Sequence, residues 1–195
     1  MAGADKPGAE VGGRPLIERV AAAAAGAERL IVAGPPRAGL PGAVVVREDP
    51  PGAGPVPALA AALPEVRAPW VALLAGDLPF LTAADLAALD AAATGVDGAV
   101  LVDAQGREQW LIGLWRTTRL REALGAYRGA SLGGLLGPLD PLRVPVADLR
   151  GRPAPWLDCD TADDLATARA TASENSHATD TLPPSRDRHG DDSRD

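Results

Sequence analysis

The sequence predicts an α/β protein: a mostly parallel sheet with helices on both faces. Short apolar runs alternate with helical stretches at close intervals, the pattern of strand–helix–strand units. At 46% hydrophobic content, 195 residues are enough to bury one α/β core and too few for two ordinary domains. The run at residues 70–76, between Pro69 and Asp77, is apolar and short, which reads as a strand buried on both faces.

The elements follow in chain order. Residues 15–26 form a helix with Pro15 in its first turn. Strands at 29–33 and 43–47 precede a helix at 57–63 and the strand at 70–76. Thr82 and Asp85 are spaced as an N-cap and its capping-box partner for a helix at 83–93. Residues 98–102 and 109–115 read as two strands of a hairpin joined by the turn at Asp103 to Gly106. Helices at 117–127 and 132–136 follow, then a strand at 142–146 and a last helix ending near Thr171. Residues 1–171 are thus expected to make one domain, and residues 172–195, almost without large apolar side chains, a disordered polar tail.

Composition removes several function classes. A formal charge of −7 and a pI near 4.8 argue against a nonspecific nucleic-acid binder, which needs clustered Lys and Arg. One cysteine, Cys159, excludes an internal disulfide and a multi-cysteine zinc site, and fits a cytoplasmic protein. No apolar stretch of about 20 residues is present, so no membrane partner is expected. His177 and His189 both fall in the polar tail, which removes imidazole base chemistry and ligation from the core.

Several spots carry polar groups where an α/β enzyme uses them, and each has a plainer reading. Asp77 ends an apolar strand, the place where such enzymes hold metal ligands; the competing reading is a turn residue. Lys6, between Asp5 and Pro7, is placed either against phosphate or in solvent. Glu48 and Asp49 close a strand and also begin an ordinary turn with Pro50. Gly52 to Pro55 is a glycine-rich loop before a helix, able to expose backbone N–H groups to an anion. Asp158 and Asp160 alternate along an extended segment, so their carboxylates share a side and suit a divalent cation, whereas Thr161 and Asp164 cap the following helix. Arg107 and Gln109, with Trp110, open the second hairpin strand and line a substrate cleft or belong to the core.

Taken together, Asp5-Lys6-Pro7, Val11-Gly-Gly-Arg14-Pro15-Leu16, Arg47-Glu-Asp49, Gly54-Pro55, Ala75-Gly-Asp77-Leu-Pro79 and Asp158-Cys-Asp160-Thr161-Ala-Asp163-Asp164-Leu165 resemble the molybdenum cofactor guanylyltransferases. The resemblance implies a Rossmann-like, three-layer sandwich of the nucleotide-diphospho-sugar transferase type. It implies a Mg2+-dependent attack by a molybdopterin phosphate on the α-phosphate of GTP, with pyrophosphate released, and contact with molybdoenzymes or their chaperones. Position by position it implies that Lys6 and Asp77 are catalytic, that Lys6, Asp49 and Asp77, with Gly34 in the place of a family contact, bind the nucleotide, and that Asp160 lies near the metal and second substrate; the residue reading adds Arg107, Gln109 and Asp158 as second-substrate candidates. Asp77 and Asp160 are the implied metal ligands. Such chemistry needs charge neutralisation and in-line placement more than a protein nucleophile.

Two departures from the family pattern stand out. The family opens with a strand and a Leu-Ala-Gly-Gly loop ahead of the Asp-Lys-Pro segment, and this sequence starts at Met1 without them. The expectation is that the start lies upstream or that the chain is a truncated, inactive form with two open strand edges. Gly34 stands where the family has a nucleotide-contacting asparagine, which leaves CTP and sugar-phosphate transfer, or a degenerate noncatalytic nucleotide binder, as alternatives.

Overall fold

The computed structural model describes residues 5–146, 149, 151–159 and 161–180, with side chains through Ser173. A short 3₁₀ turn at Lys6–Gly8 leads into β1 (Glu10–Val11) and β2 (Arg14–Pro15), which pair antiparallel, and then α1 (Leu16–Ala23). β3 (Ile31–Ala33), β4 (Val44–Val46), α2 (Pro55–Ala62), β5 (Trp70–Leu74), α3 (Ala83–Ala92), β6 (Gly98–Val102) and β7 (Glu108–Arg116) follow. α4 (Thr117–Ala126), α5 (Leu132–Leu136), β8 (Leu142–Pro145) and α6 (Ala162–Asp180) complete the described chain.

The sheets are mixed. β3 and β4 pair parallel, and β6 and β8 pair parallel, in keeping with expectation. β7 is antiparallel to both β5 and β6, because it returns from β6 through the hairpin turn at Asp103 to Gly106. That turn is tied by Asp103, whose side chain is 1% exposed. It accepts from the backbone N–H groups of Gln105 and Arg107, both at 2.9 Å, and from the Arg107 guanidinium at 2.7 Å. Burial works against the charged carboxylate, but these donors outweigh it and hold the Asp103 pKa below its usual range.

Helices cover both faces. On β6, Val100 packs into a cluster with Leu59 of α2, Leu120 of α4 and Leu135 of α5, while its neighbours Ala99 and Leu101 pack with Val20 of α1 and Leu89 of α3. This period-two alternation places one core on each side of the sheet. A third cluster of Val11, Leu16, Cys159, Leu165 and Ala168 welds α6 to the N-terminal segment. α3 starts as expected: Thr82 accepts from the Asp85 backbone, and the Asp85 carboxylate accepts from the Thr82 N–H at 3.0 Å.

Two expectations change. α6 runs on to Asp180 rather than ending near Thr171, because no Gly or Pro interrupts residues 172–180; residues 181–195 lie outside the described residues. β5 is not buried on both faces: Ala72 is exposed and Trp70, Val71, Leu73 and Leu74 are half-buried. The reason is a gap. β5 pairs with β7 alone and β3 with β4 alone, so among the described residues each strand has a ladder on one edge only. A cavity of about 540 Å³ is lined by both strands, including Ile31, Ala33, Val71 and Leu73. Arg29, before β3, lies 3.7 Å from Glu65, before β5. At the other end residues 5–8 meet Arg37 after β3 and Gly76 after β5. The two strands therefore run side by side in the same direction with the cavity between them.

Candidate functional site

The C-terminal ends of β3 and β5 meet the turn that carries Lys6, the sole lysine of the chain. Arg37, in the loop after β3, binds the Asp5 carboxylate with both terminal nitrogens, Nη2 at 2.6 Å from Oδ1. The pairing lowers the Asp5 pKa and raises that of Arg37. On the other side, a Cβ at Gly76 would stand 3.4 Å from Pro7 Cβ, so the segment Ala75-Gly76-Asp77 lies directly against the turn. Arg19 of α1 fixes the far end of that segment, donating to the Pro79 carbonyl at 3.0 Å and to Val11 at 3.2 Å.

Cys159 shows where the acids gather. Its thiol is pushed up to about 11, first by burial and then by the negative charges of Asp77, Asp164 and Asp158, with Arg169 pulling the other way. The charges of Asp77, from the end of β5, and of Asp158, from the segment before α6, therefore both reach one buried sulfur. Asp164 is held below its usual pKa chiefly by hydrogen bonds from Thr161, and the charge of Lys6 adds to that. The charge of Lys6 thus reaches the start of α6. Thr161 caps α6 as expected, accepting from the Asp164 N–H at 3.1 Å while the Asp164 carboxylate accepts from its backbone at 2.7 Å.

The remaining sequence candidates divide by position. Asp49 is exposed after β4, in a turn closed by Glu48, which accepts from the Gly52 N–H at 2.7 Å. Gly34 follows β3 with φ of 150°, a backbone that favours glycine, and a Cβ there would meet nothing within 4 Å. Both lie on the β3–β4 side of Asp77. Gln109 and Asp158 line a second cavity, of about 500 Å³, on the β7 side. Arg107 lines neither cavity: its side chain is 76% exposed and paired with Asp103 in the hairpin turn. Asp160 lies outside the described residues.

Among the described residues no group of three or more His, Cys, Asp or Glu side chains is arranged to hold a metal. The donor set is carboxylate oxygen, few in number, at a strand end. That suits Mg2+, which takes one or two carboxylates and completes its shell with substrate phosphates and water. No described helix is long and apolar enough to cross a membrane.

Sequence reasoning missed Arg19 and Arg37, which hold the rim in place, and Trp156, which walls the second cavity. The two arginines carry no local signal, since their partners lie 60 and 32 residues away. The uniqueness of Lys6 was a signal open to sequence reading.

Comparison with known proteins bears on this arrangement. The pattern of the MobA-like NTP transferase domain family matches residues 1–142. A protein of Deinococcus radiodurans described as "Probable molybdenum cofactor guanylyltransferase" is 42% identical over 81 residues, which cover 41% of this chain and 42% of that protein. The match therefore spans less than half the length of that curated relative. Molybdopterin-guanine dinucleotide biosynthesis protein A of Archaeoglobus fulgidus superposes with a TM-score of 0.69 at 19% identity, covering 88% of this chain and 92% of the other. The 2-C-methyl-D-erythritol 4-phosphate cytidylyltransferase of Thermus thermophilus superposes with a TM-score of 0.67 at 24% identity, covering 86% and 93%. These neighbours share the Rossmann-like α/β fold.

Proposed function

Because the chain belongs to the MobA-like NTP transferase domain family, we propose that this nucleotidyltransferase transfers GMP from GTP to molybdopterin, releasing pyrophosphate, in the cytoplasm. The observation that supports the reading is that the Lys6 turn packs against Gly76 at the end of β5, with the charges of Asp77 and Asp158 reaching Cys159 and that of Lys6 reaching Asp164. The Deinococcus radiodurans relative, described as a probable molybdenum cofactor guanylyltransferase, supports guanylyl transfer to the molybdenum cofactor.

In this reading an oxygen of the acceptor phosphate bonds to the α-phosphorus of GTP while the bond to the pyrophosphate oxygen breaks. Lys6 lies against the nucleotide phosphates as a point charge, held there by the Asp5–Arg37 clasp. Gly34 and Asp49 face the nucleoside from the β3–β4 side. Gln109, Asp158 and Asp160 receive the acceptor. Asp77 and Asp160 are the residues that would hold Mg2+, which when bound neutralises charge on the transferring phosphates. The product passes by transient contact to molybdoenzymes or their chaperones. Nucleic acid and membrane play no part.

The test is calorimetric titration with GTP, CTP and ATP in the presence of Mg2+, followed by pyrophosphate release with molybdopterin. GTP is expected to bind best. If none of the three binds, the proposal fails. Pyrophosphate release with a sugar phosphate and not with molybdopterin would move the chain to another acceptor class.

A further inference from the structure

Residues 75–82, which carry Asp77 away from β5, belong to no strand or helix. Their backbone is held by what packs around it. Leu78 is buried with Val20 of α1 and Leu89 of α3, whereas Phe80 packs on the cluster of Val11 and Leu16. The chain between those two side chains passes from one core to the other. Pro79 is buried there, so its carbonyl needs a donor. Arg19 supplies it through Nε at 3.0 Å, from 60 residues earlier in the chain. The same guanidinium donates through Nη1, at 3.2 Å, to the carbonyl of the fully buried Val11.

The first half of α1 touches the rim at two further points. Ile17 Cδ1 would stand 3.7 Å from a Cβ at Gly76, just ahead of Asp77. Glu18 covers Gly39 in the loop after β3, where a Cβ would collide with its carboxylate. Asp77 is therefore bracketed, with Gly76 against Ile17 and Pro7 on one side and Pro79 on Arg19 on the other. Val11 belongs to the N-terminal segment, which Ala9 ties to the start of α1 by accepting from the Leu16 N–H at 2.9 Å. A single planar fork thus joins the segment of Asp77 to the segment that follows the Lys6 turn. Arg19 lines neither cavity, so its effect on a ligand passes through the residues it holds.

We infer that Arg19 is the positioning residue of Asp77: by holding the Pro79 and Val11 carbonyls on one guanidinium it fixes where the Asp77 carboxylate stands at the end of β5. The inference rests on the guanylyltransferase reading for what Asp77 does there. An arginine that only stabilised the fold would shift the melting temperature and leave Mg2+-dependent binding alone.

A double-mutant cycle of Arg19→Met and Asp77→Asn in the full chain tests it, by calorimetric titration with GTP in Mg2+ and in EDTA. Arg19→Met alone should lower GTP affinity in Mg2+ by roughly tenfold, as loss of a partner that orients a metal ligand does, and leave affinity in EDTA unchanged. In the Asp77→Asn background the same change should cost nothing further, because it acts through the carboxylate already lost. Hydrogen exchange gives a readout without nucleotide: Arg19→Met should speed exchange at residues 76–78 and leave β6 and β7 as they were. Arg19→Lys keeps the charge but offers one ammonium in place of two angled donors, and it enters the same cycle, with smaller effects, if Arg19→Met does not melt cooperatively. Additive losses, an equal loss in EDTA, or unchanged exchange at residues 76–78 would overturn the assignment. Faster exchange at residues 76–78 in a chain whose wild type binds no triphosphate would end the guanylyltransferase reading and leave Arg19 as the residue that holds Asp77 in place.

Discussion

Arg37 holds the carboxylate of Asp5 through both of its terminal nitrogens, and this one pair binds the Lys6 turn to the loop after β3. Asp5 is the more exposed partner, so the pair should add less than about 1 kcal/mol to stability. Its larger effect is on position. Arg37→Ala is expected to weaken GTP binding severalfold while the melting temperature changes little. The acid dependence has a definite sign. The folded Asp5 pKa is lowered, so its contribution is complete above the usual carboxylate range and is lost as pH falls through the lowered value. Asp5→Asn should flatten the acid limb of a melting-temperature profile; an unchanged limb would contradict the clasp.

Asp77 offers two independent readouts. Asp77→Asn should lower Mg2+-dependent nucleotide affinity by roughly a hundredfold, the upper range for disturbing a metal site, with the fold intact. The same change removes the largest of the negative charges acting on Cys159, after burial, so the thiol pKa should fall from about 11. Asp158→Asn should lower it less, since its charge ranks behind those of Asp77 and Asp164. Ultraviolet thiolate absorbance across pH follows both variants. A larger shift in Asp158→Asn than in Asp77→Asn would contradict the arrangement.

Lys6 is the only lysine, which makes it separately addressable. Amine acylation should modify Lys6 and the N-terminus alone, and GTP with Mg2+ should protect Lys6 specifically. Peptide mass mapping reads both positions in one experiment. Equal labelling of Lys6 with and without GTP would exclude its contact with the phosphates.

Local patterns made much of this architecture legible. The Thr82–Asp85 box, the hairpin around Asp103 and the strand that delivers Asp77 each depend on neighbours a few residues apart. The misreading of β5 as buried on both faces has the opposite origin. Apolar composition reports what a strand is suited to, whereas its burial depends on which strand lies beside it, and β3 is across a cavity. Arg107 illustrates the same limit at the site: position in the hairpin suggested a cleft, but its Nε is held by the buried carboxylate of Asp103 and its side chain lines neither cavity. Trp156 belongs to the second cavity only because the chain returns there after β8.

Among the described residues β3 and β5 each keep one edge without a ladder, next to an apolar cavity, a template for strand addition. The 195-residue chain is therefore expected to self-associate at micromolar concentration and to melt at low temperature with poor reversibility. A monomeric, reversibly melting 195-residue chain would contradict this.

Asp85 shows how the segment leading to Asp158 is anchored. Its carboxylate is 4% exposed and accepts from Thr82 Oγ1 at 2.6 Å and from both terminal nitrogens of Arg152. Thr82→Ala removes a cap and should cost about 1 kcal/mol. Arg152→Ala leaves a buried carboxylate without its cation, for which about 3–5 kcal/mol is usual; Arg152 is itself a third exposed, so the lower end is expected. Because Arg152 also ties residues 151–159 to α3, Arg152→Ala should loosen the wall formed by Trp156 and Asp158, whereas Thr82→Ala should not. Denaturant melts supply the stabilities, and hydrogen exchange across residues 151–159 reads the loosening. Equal exchange in the two variants would show that Arg152 stabilises the fold without holding the cavity wall.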